Sequence, residues 1–159
     1  MAARAGVSHG LVFQHFGSKK GLYLETVRVL LDRFDAQVGP DPDLPPEERL
    51  RSSLLSYIDF ALDHPRGFRA LMLPAFAEVR ELVEEGRWRG VRSTAAGAGL
   101  DLDRPDVRVA LRGWIGFMEG TLLAAAEAPE RPSRERLVEL LTAPLLGTVA
   151  ALSAPPARA

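Results

Sequence analysis

The chain has 159 residues, 47% of them apolar and 26% charged, which suffices for one sizeable core or for a small unit beside a larger one. There is no cysteine, so disulfides, thiol catalysis and cysteine-based metal sites are excluded. The formal net charge is -1, yet residues 1–20 hold Arg4, Lys19 and Lys20 and no acid (+3), leaving 17 basic and 21 acidic side chains (-4) for the rest. A basic end on an acidic body is what phosphate contact needs. The N-terminal MAARAGVSHG lacks the apolar core of a signal peptide. The longest weakly polar run, Leu140 to Leu152, is interrupted by Pro144 and is too short to span a bilayer.

In chain order, Met1 to Ala5 reads as the end of a helix, and Gly6 as its tight stop. Ser8 then caps a short helix from His9 to Phe16. Gly17 breaks it, and Ser18 caps a longer helix from Lys19 to about Val38. Leu24, Val27, Leu31, Phe34 and Val38 form a sustained apolar stripe along that helix. Helix end, turn, short helix, turn and long helix is the layout of a helix-turn-helix DNA reader, whose short helix lies in the major groove. Gln14 can then pair with adenine N6 and N7, Leu11 can touch a thymine methyl, and Gly10 permits close backbone approach. Lys19 and Lys20 sit at a helix N-terminus, where a phosphate partner gives both cations a reason.

The stretch AGVSHGLVFQHFGSKKGLYLE, residues 5–25, resembles the DNA-binding half of TetR (tetracycline-repressor) type transcriptional regulators. The resemblance implies that Ser8, His9, Gly10, Leu11, Phe13, Gln14, His15, Lys19 and Lys20 form the DNA-facing set. Lys19 is then a phosphate contact, and Phe13 stands where the family commonly has a tyrosine whose hydroxyl reaches phosphate. The family's layout also has a full helix and the start of a second before Ala5. The expectation is that Met1 is an internal start and that in-frame codons upstream complete a three-helix unit. If Met1 is the true start, the alternative is a dimerising, small-molecule-binding module without competent DNA binding.

Four prolines in the seven residues from Pro40 to Pro46 make the clearest boundary in the chain. It separates a partial helix-turn-helix with its linker helix, 1–38, from a helical body, 47–153. In the body, Glu47 to Asp63 is helical, with Leu50, Leu54, Tyr57, Ile58, Ala61 and Leu62 inward, and His64-Pro65 stops it. A short helix follows to about Leu73. Pro74 opens one to about Ala98, whose far end Gly86, Gly90, Gly97 and Gly99 weaken. Pro105 opens the next to about Ala128. A last helix runs from Ser133 to about Leu152, which Pro144 should kink or split. The whole is all-α.

Tyr57, Phe60, Phe68, Met72, Phe76, Trp88, Trp114, Phe117 and Met118 lie on helices that resemble the family's ligand-binding body, with Arg92 and Tyr57 as its polar groups. Gly113, Gly116 and Gly120 place small residues along one side of a helix, and Leu137, Leu140, Leu141 and Leu145 give the last helix its stripe. The resemblance makes these two helices half of a four-helix bundle with a second subunit. The expected dimer contacts are Gly113, Gly116, Gly120, Leu137, Leu141 and Leu145. No catalytic constellation, cofactor motif or metal-ligand pair is visible. The expectation is a cytoplasmic, ligand-responsive repressor, homodimeric on a near-palindromic DNA operator, with a small apolar effector, and not an enzyme.

Overall fold

The computed structural model of the chain describes residues 16–38 and 43–154, and its elements are six α-helices. They are α1 Lys19–Val38, α2 Pro46–Asp63, α3 Pro65–Met72, α4 Ala77–Ala98, α5 Pro105–Glu127 and α6 Arg134–Ser153. The all-α expectation holds.

Local chemistry explains the boundaries. Gly17 adopts φ 67°, a left-handed turn that side chains disfavour, directly after the helical Phe16. Ser18 Oγ accepts from the Gly21 N–H at 2.9 Å and caps α1. Prolines occupy the first positions of α2, α3 and α5, where their missing N–H has no partner to lose. Ser133 caps α6 by accepting from the Arg136 N–H at 3.2 Å. Gly99, at φ 65°, closes α4, and the Leu100 N–H reaches back to the Ala95 carbonyl at 2.9 Å. The glycines expected to fray α4 leave it continuous to Ala98.

Two boundaries differ from the sequence reading. Helix α4 begins at Ala77 rather than Pro74, because Phe76 is extended and turns its ring onto Tyr23, with centroids 5.6 Å apart. Helix α6 runs unbroken through Pro144. Thr148 Oγ1 donates to the Pro144 carbonyl at 2.8 Å, and Pro144 itself faces outward.

The core lies between α2 and α5, each packed against the other and against α3 and α6. Its centre is Ile58, Phe68, Leu111, Leu122, Leu137 and Leu141, all essentially inaccessible to water. Helix α1 packs on α2 and α4, and its N-terminus carries the segment that precedes it. Arg134 ties the start of α6 to Asp59 and Asp63 on α2, and Arg104 Nη1 donates to the Leu152 carbonyl at 3.0 Å, tying α5 to the end of α6.

Candidate effector cavity and DNA-facing helix

A cavity of about 290 Å³ opens between α1, α2, α3, α4 and α5. Its walls are mainly apolar. Leu31 and Phe34 come from α1, Leu54, Tyr57 and Phe60 from α2, and Phe68 and Met72 from α3. Trp114, Ile115 and Met118 of α5 close the far side. Phe34 sets its ring edge-on to Tyr57 at 4.7 Å and tilted to Phe60 at 4.9 Å, so an aromatic from α1 completes the wall begun by α2. Trp114 has its indole N–H already committed to the Leu141 carbonyl at 3.0 Å, which leaves its ring as an apolar surface.

Of the residues expected at a ligand site, Tyr57, Phe60, Phe68, Met72, Trp114 and Met118 all lie on this wall. The other four do not. Phe76 packs on Tyr23 outside the cavity. Trp88 and Arg92 border a shallow hollow with Glu81, Glu84, Glu85 and Arg89 on the other side of α4. Phe117 is 46% exposed on the outer side of α5. One helical position, about 100°, separates Phe117 from Met118, and Trp88 from Arg87, so each neighbour takes the inward place.

The polar end of the cavity is one that the sequence reading missed. Glu119, 7% exposed, is the only buried charged residue among those described. Arg87 Nε donates to both its carboxylate oxygens, at 3.0 and 2.9 Å, and Arg87 Nη2 lies 2.9 Å from Oε2. The Tyr57 hydroxyl stands 3.5 Å from Glu119 Oε1. Arg87 Nη1 also donates to Glu84 at 3.2 Å, and Arg112 grips Glu84 with two bonds of 2.9 Å. Burial acts against the Arg87 charge, but Glu119 and then Glu84 outweigh it and hold its pKa above the ordinary value. The Arg112 hydrogen bonds, opposed by partial burial and helped by Arg87, hold the Glu84 carboxyl below its usual range. The signal for this network was in the sequence: Glu119 is the sole ionisable side chain between Gly113 and Ala126.

Towards the N-terminus, Ser8, His9, Gly10, Leu11, Phe13, Gln14 and His15 lie outside the described residues. Lys19 is exposed at the first turn of α1. Lys20 is turned to the body, with Nζ 2.6 Å from Glu78 Oε1 and 5.6 Å above the Phe76 ring. Gly21 is a close-approach glycine, since a Cβ there would overlap the Phe16 carbonyl oxygen.

On the opposite side, Gly113, Gly116 and Gly120 are exposed on α5, in line with Val109 (74% exposed) and Phe117. On α6, Leu137, Leu141 and Leu145 are buried inside the protomer, so they face the core and not outward, contrary to the expected dimer contacts. Leu140 and Leu146, the latter 60% exposed, form the outward side instead. Helix α6 is also longer than the apolar run that the sequence suggested. It is the one described helix long and apolar enough to cross a membrane, with mean hydropathy 1.4, and only 28% of that apolar window is buried.

The comparisons agree with this geometry. A family model described as "Tetracyclin repressor-like, C-terminal domain" matches residues 46–147, and one described as "Bacterial regulatory proteins, tetR family" matches residues 1–26. A tetR-family transcriptional regulator from Streptomyces coelicolor superimposes with a TM-score of 0.82 at 26% identity, covering 94% of this chain and 70% of that one. A TetR-like transcriptional regulator from Rhodococcus sp. RHA1 shares the fold, with a TM-score of 0.71 at 23% identity over 94% of this chain and 81% of that one. No curated relative matches the sequence. The larger matching model spans more than half of the chain, from the start of α2 into α6. This chain therefore belongs to the TetR family, as a DNA-binding transcriptional regulator and not an enzyme.

Proposed function

We propose that the protein is a cytoplasmic, ligand-responsive repressor that binds a near-palindromic operator as a homodimer. The observation that carries this reading is the placement of Leu31 and Phe34. Both belong to α1, the helix that begins directly after the DNA-reading segment, and both line the cavity. A molecule seated there touches the helix on which DNA recognition is mounted.

In this reading His9 to Phe16 enters the major groove, with Gln14 and Leu11 on base edges and Lys19 on phosphate. Ser8, Gly10, Phe13 and His15 shape its approach. Two such segments, one per subunit, meet successive major grooves about one turn apart. The second subunit packs on the exposed side of α5 and α6, over Gly113, Gly116, Gly120, Leu140 and Leu146. Release from DNA requires an effector whose affinity differs between the two subunit spacings; tight binding alone shifts nothing.

Fluorescence anisotropy with labelled DNA from upstream of the protein's own gene tests this. The expected result is specific binding in the range of about 10⁻⁸–10⁻¹¹ M with steep salt dependence. Sedimentation should give a dimer. Equal affinity for that DNA and a shuffled duplex would overturn the reading.

A further inference from the structure

Helix α4 gives the cavity two glycines where the other helices give it large side chains. We infer that Gly86 is the specificity-determining position of the cavity. The space left by its missing side chain takes the part of an effector that extends beyond a single ring. This rests on the effector-site reading above and goes beyond it by assigning size selection to one residue.

The contrast between the walls is direct. Phe34 on α1, Tyr57 on α2, Phe68 and Met72 on α3 and Trp114 on α5 all line the space, whereas α4 lines it with Gly86 and Gly90. Successive helical residues turn by about 100°. Val83 and Arg87 therefore lie on the core side of the α4 strip, Ser93 on its solvent side, and the two glycines between them. Burial follows that order, with Val83 buried, both glycines half-buried and Ser93 exposed.

The backbone does not ask for glycine at either position. Both lie inside α4, and among the described residues only Gly17 and Gly99 have a positive φ. Glycine in a helix interior is less stable than alanine, so its use here is accounted for by space and not by conformation.

The two glycines differ in what a side chain would meet. At Gly90 a Cβ would stand 3.2 Å from Ile115 Cδ1, so even one methyl pushes a wall residue of α5. At Gly86 a Cβ would meet nothing nearer than Arg89 Nη2, at 3.6 Å, which is ordinary contact with the far end of a flexible side chain. Gly90 thus answers to the packing of α4 on α5, while Gly86 borders room that a larger residue can fill without first moving the core. That room is limited. The cavity volume of about 290 Å³ equals roughly ten waters of liquid. Gly86→Leu brings four more carbon atoms to its edge, and a crowded apolar site rejects what no longer fits.

Two neutral probes of different size test this on the full chain: N-phenyl-1-naphthylamine, followed by its fluorescence, and toluene, followed by isothermal titration. Gly86→Leu is expected to weaken the larger probe at least tenfold and toluene less than threefold, with thermal unfolding no earlier than in the wild type because leucine is the better helix former. Gly86→Ala adds one methyl and should weaken the larger probe by a smaller factor in the same direction, which keeps the test open should the leucine variant fail to fold. A Gly86→Leu variant that is folded and either keeps the larger probe or loses both probes equally overturns the size-selecting role and leaves the cavity an effector site. Failure of the wild type to bind either probe overturns both this inference and the effector-site reading beneath it.

Discussion

Lys20 Nζ stands 2.6 Å from Glu78 Oε1, joining the first turn of α1 to the first turn of α4. The Phe76 ring lies beneath the ammonium, and Tyr23 packs on that ring. The cation that sequence placed at a phosphate is thus also a strut between α1 and the body. Glu78→Gln releases it. The expected outcome is a salt dependence of DNA binding steeper by about one unit in the log–log slope, as one more cation becomes available to phosphate. Anisotropy titrations across a range of salt concentrations check this.

The same pair predicts what pH does not do. The Lys20 hydrogen bond holds the Glu78 carboxyl below its usual range. A depressed carboxylate contributes fully above its unfolded pKa, about 4.3, and fades only as pH falls through the lowered folded value. DNA affinity should therefore show no pH dependence from this contact around neutrality. A titration of the wild type against Glu78→Gln between about pH 6 and 8 should give parallel curves, since the Glu78 carboxylate keeps its charge there.

Gly21 and Gly97 should respond in opposite ways to alanine. At Gly21 the new Cβ would collide with the Phe16 backbone, so the segment before α1 must move. DNA affinity is expected to fall at least tenfold, about 1.4 kcal/mol, while the body stays folded by circular dichroism. Gly97 is helical with open space around it, so Gly97→Ala should stabilise by about 0.4–1 kcal/mol in urea unfolding.

Removing Glu119 should damage the fold more than removing any exposed ion-pair partner. Glu119→Ala leaves Arg87 facing the cavity without its main counter-charge, and breaking a buried pair in this way costs about 3–5 kcal/mol. Replacing Arg87 and Glu119 together by methionine should recover most of that loss. A double-mutant cycle in urea measures the difference.

Phe117→Asp places a charge on the outer side of α5, where the wild-type ring is 46% exposed. Helix content should be unchanged, while sedimentation at micromolar concentration shifts from dimer to monomer. DNA affinity should drop with it, because half-sites are then read singly.

Much of this was legible because helical punctuation is local. Gly17, Ser18, Pro65, Pro105 and Ser133 each act within one turn of themselves, and each marks the boundary expected of it. Rotational phase was harder to read. Leu137, Leu141 and Leu145 recur every fourth residue, and so does the row that holds Leu140 and Pro144. Periodicity finds both rows but does not say which one meets the core, since that is settled by α2 and α5 far away in the chain. Phe117 and Trp88 fell to the same ambiguity. Arg87 and Glu119 were missed for another reason. Their partnership spans 32 residues, and only the packing of α4 on α5 brings them together.

Helix α6 has two apolar sides, and one protomer covers only the one that holds Leu137, Leu141 and Leu145. A chain built this way is wetted at Leu140 and Leu146 whenever it is alone, so its resistance to unfolding should climb with its own concentration. Under the homodimer proposed above, cellular dosage of the protein then becomes a control input in its own right.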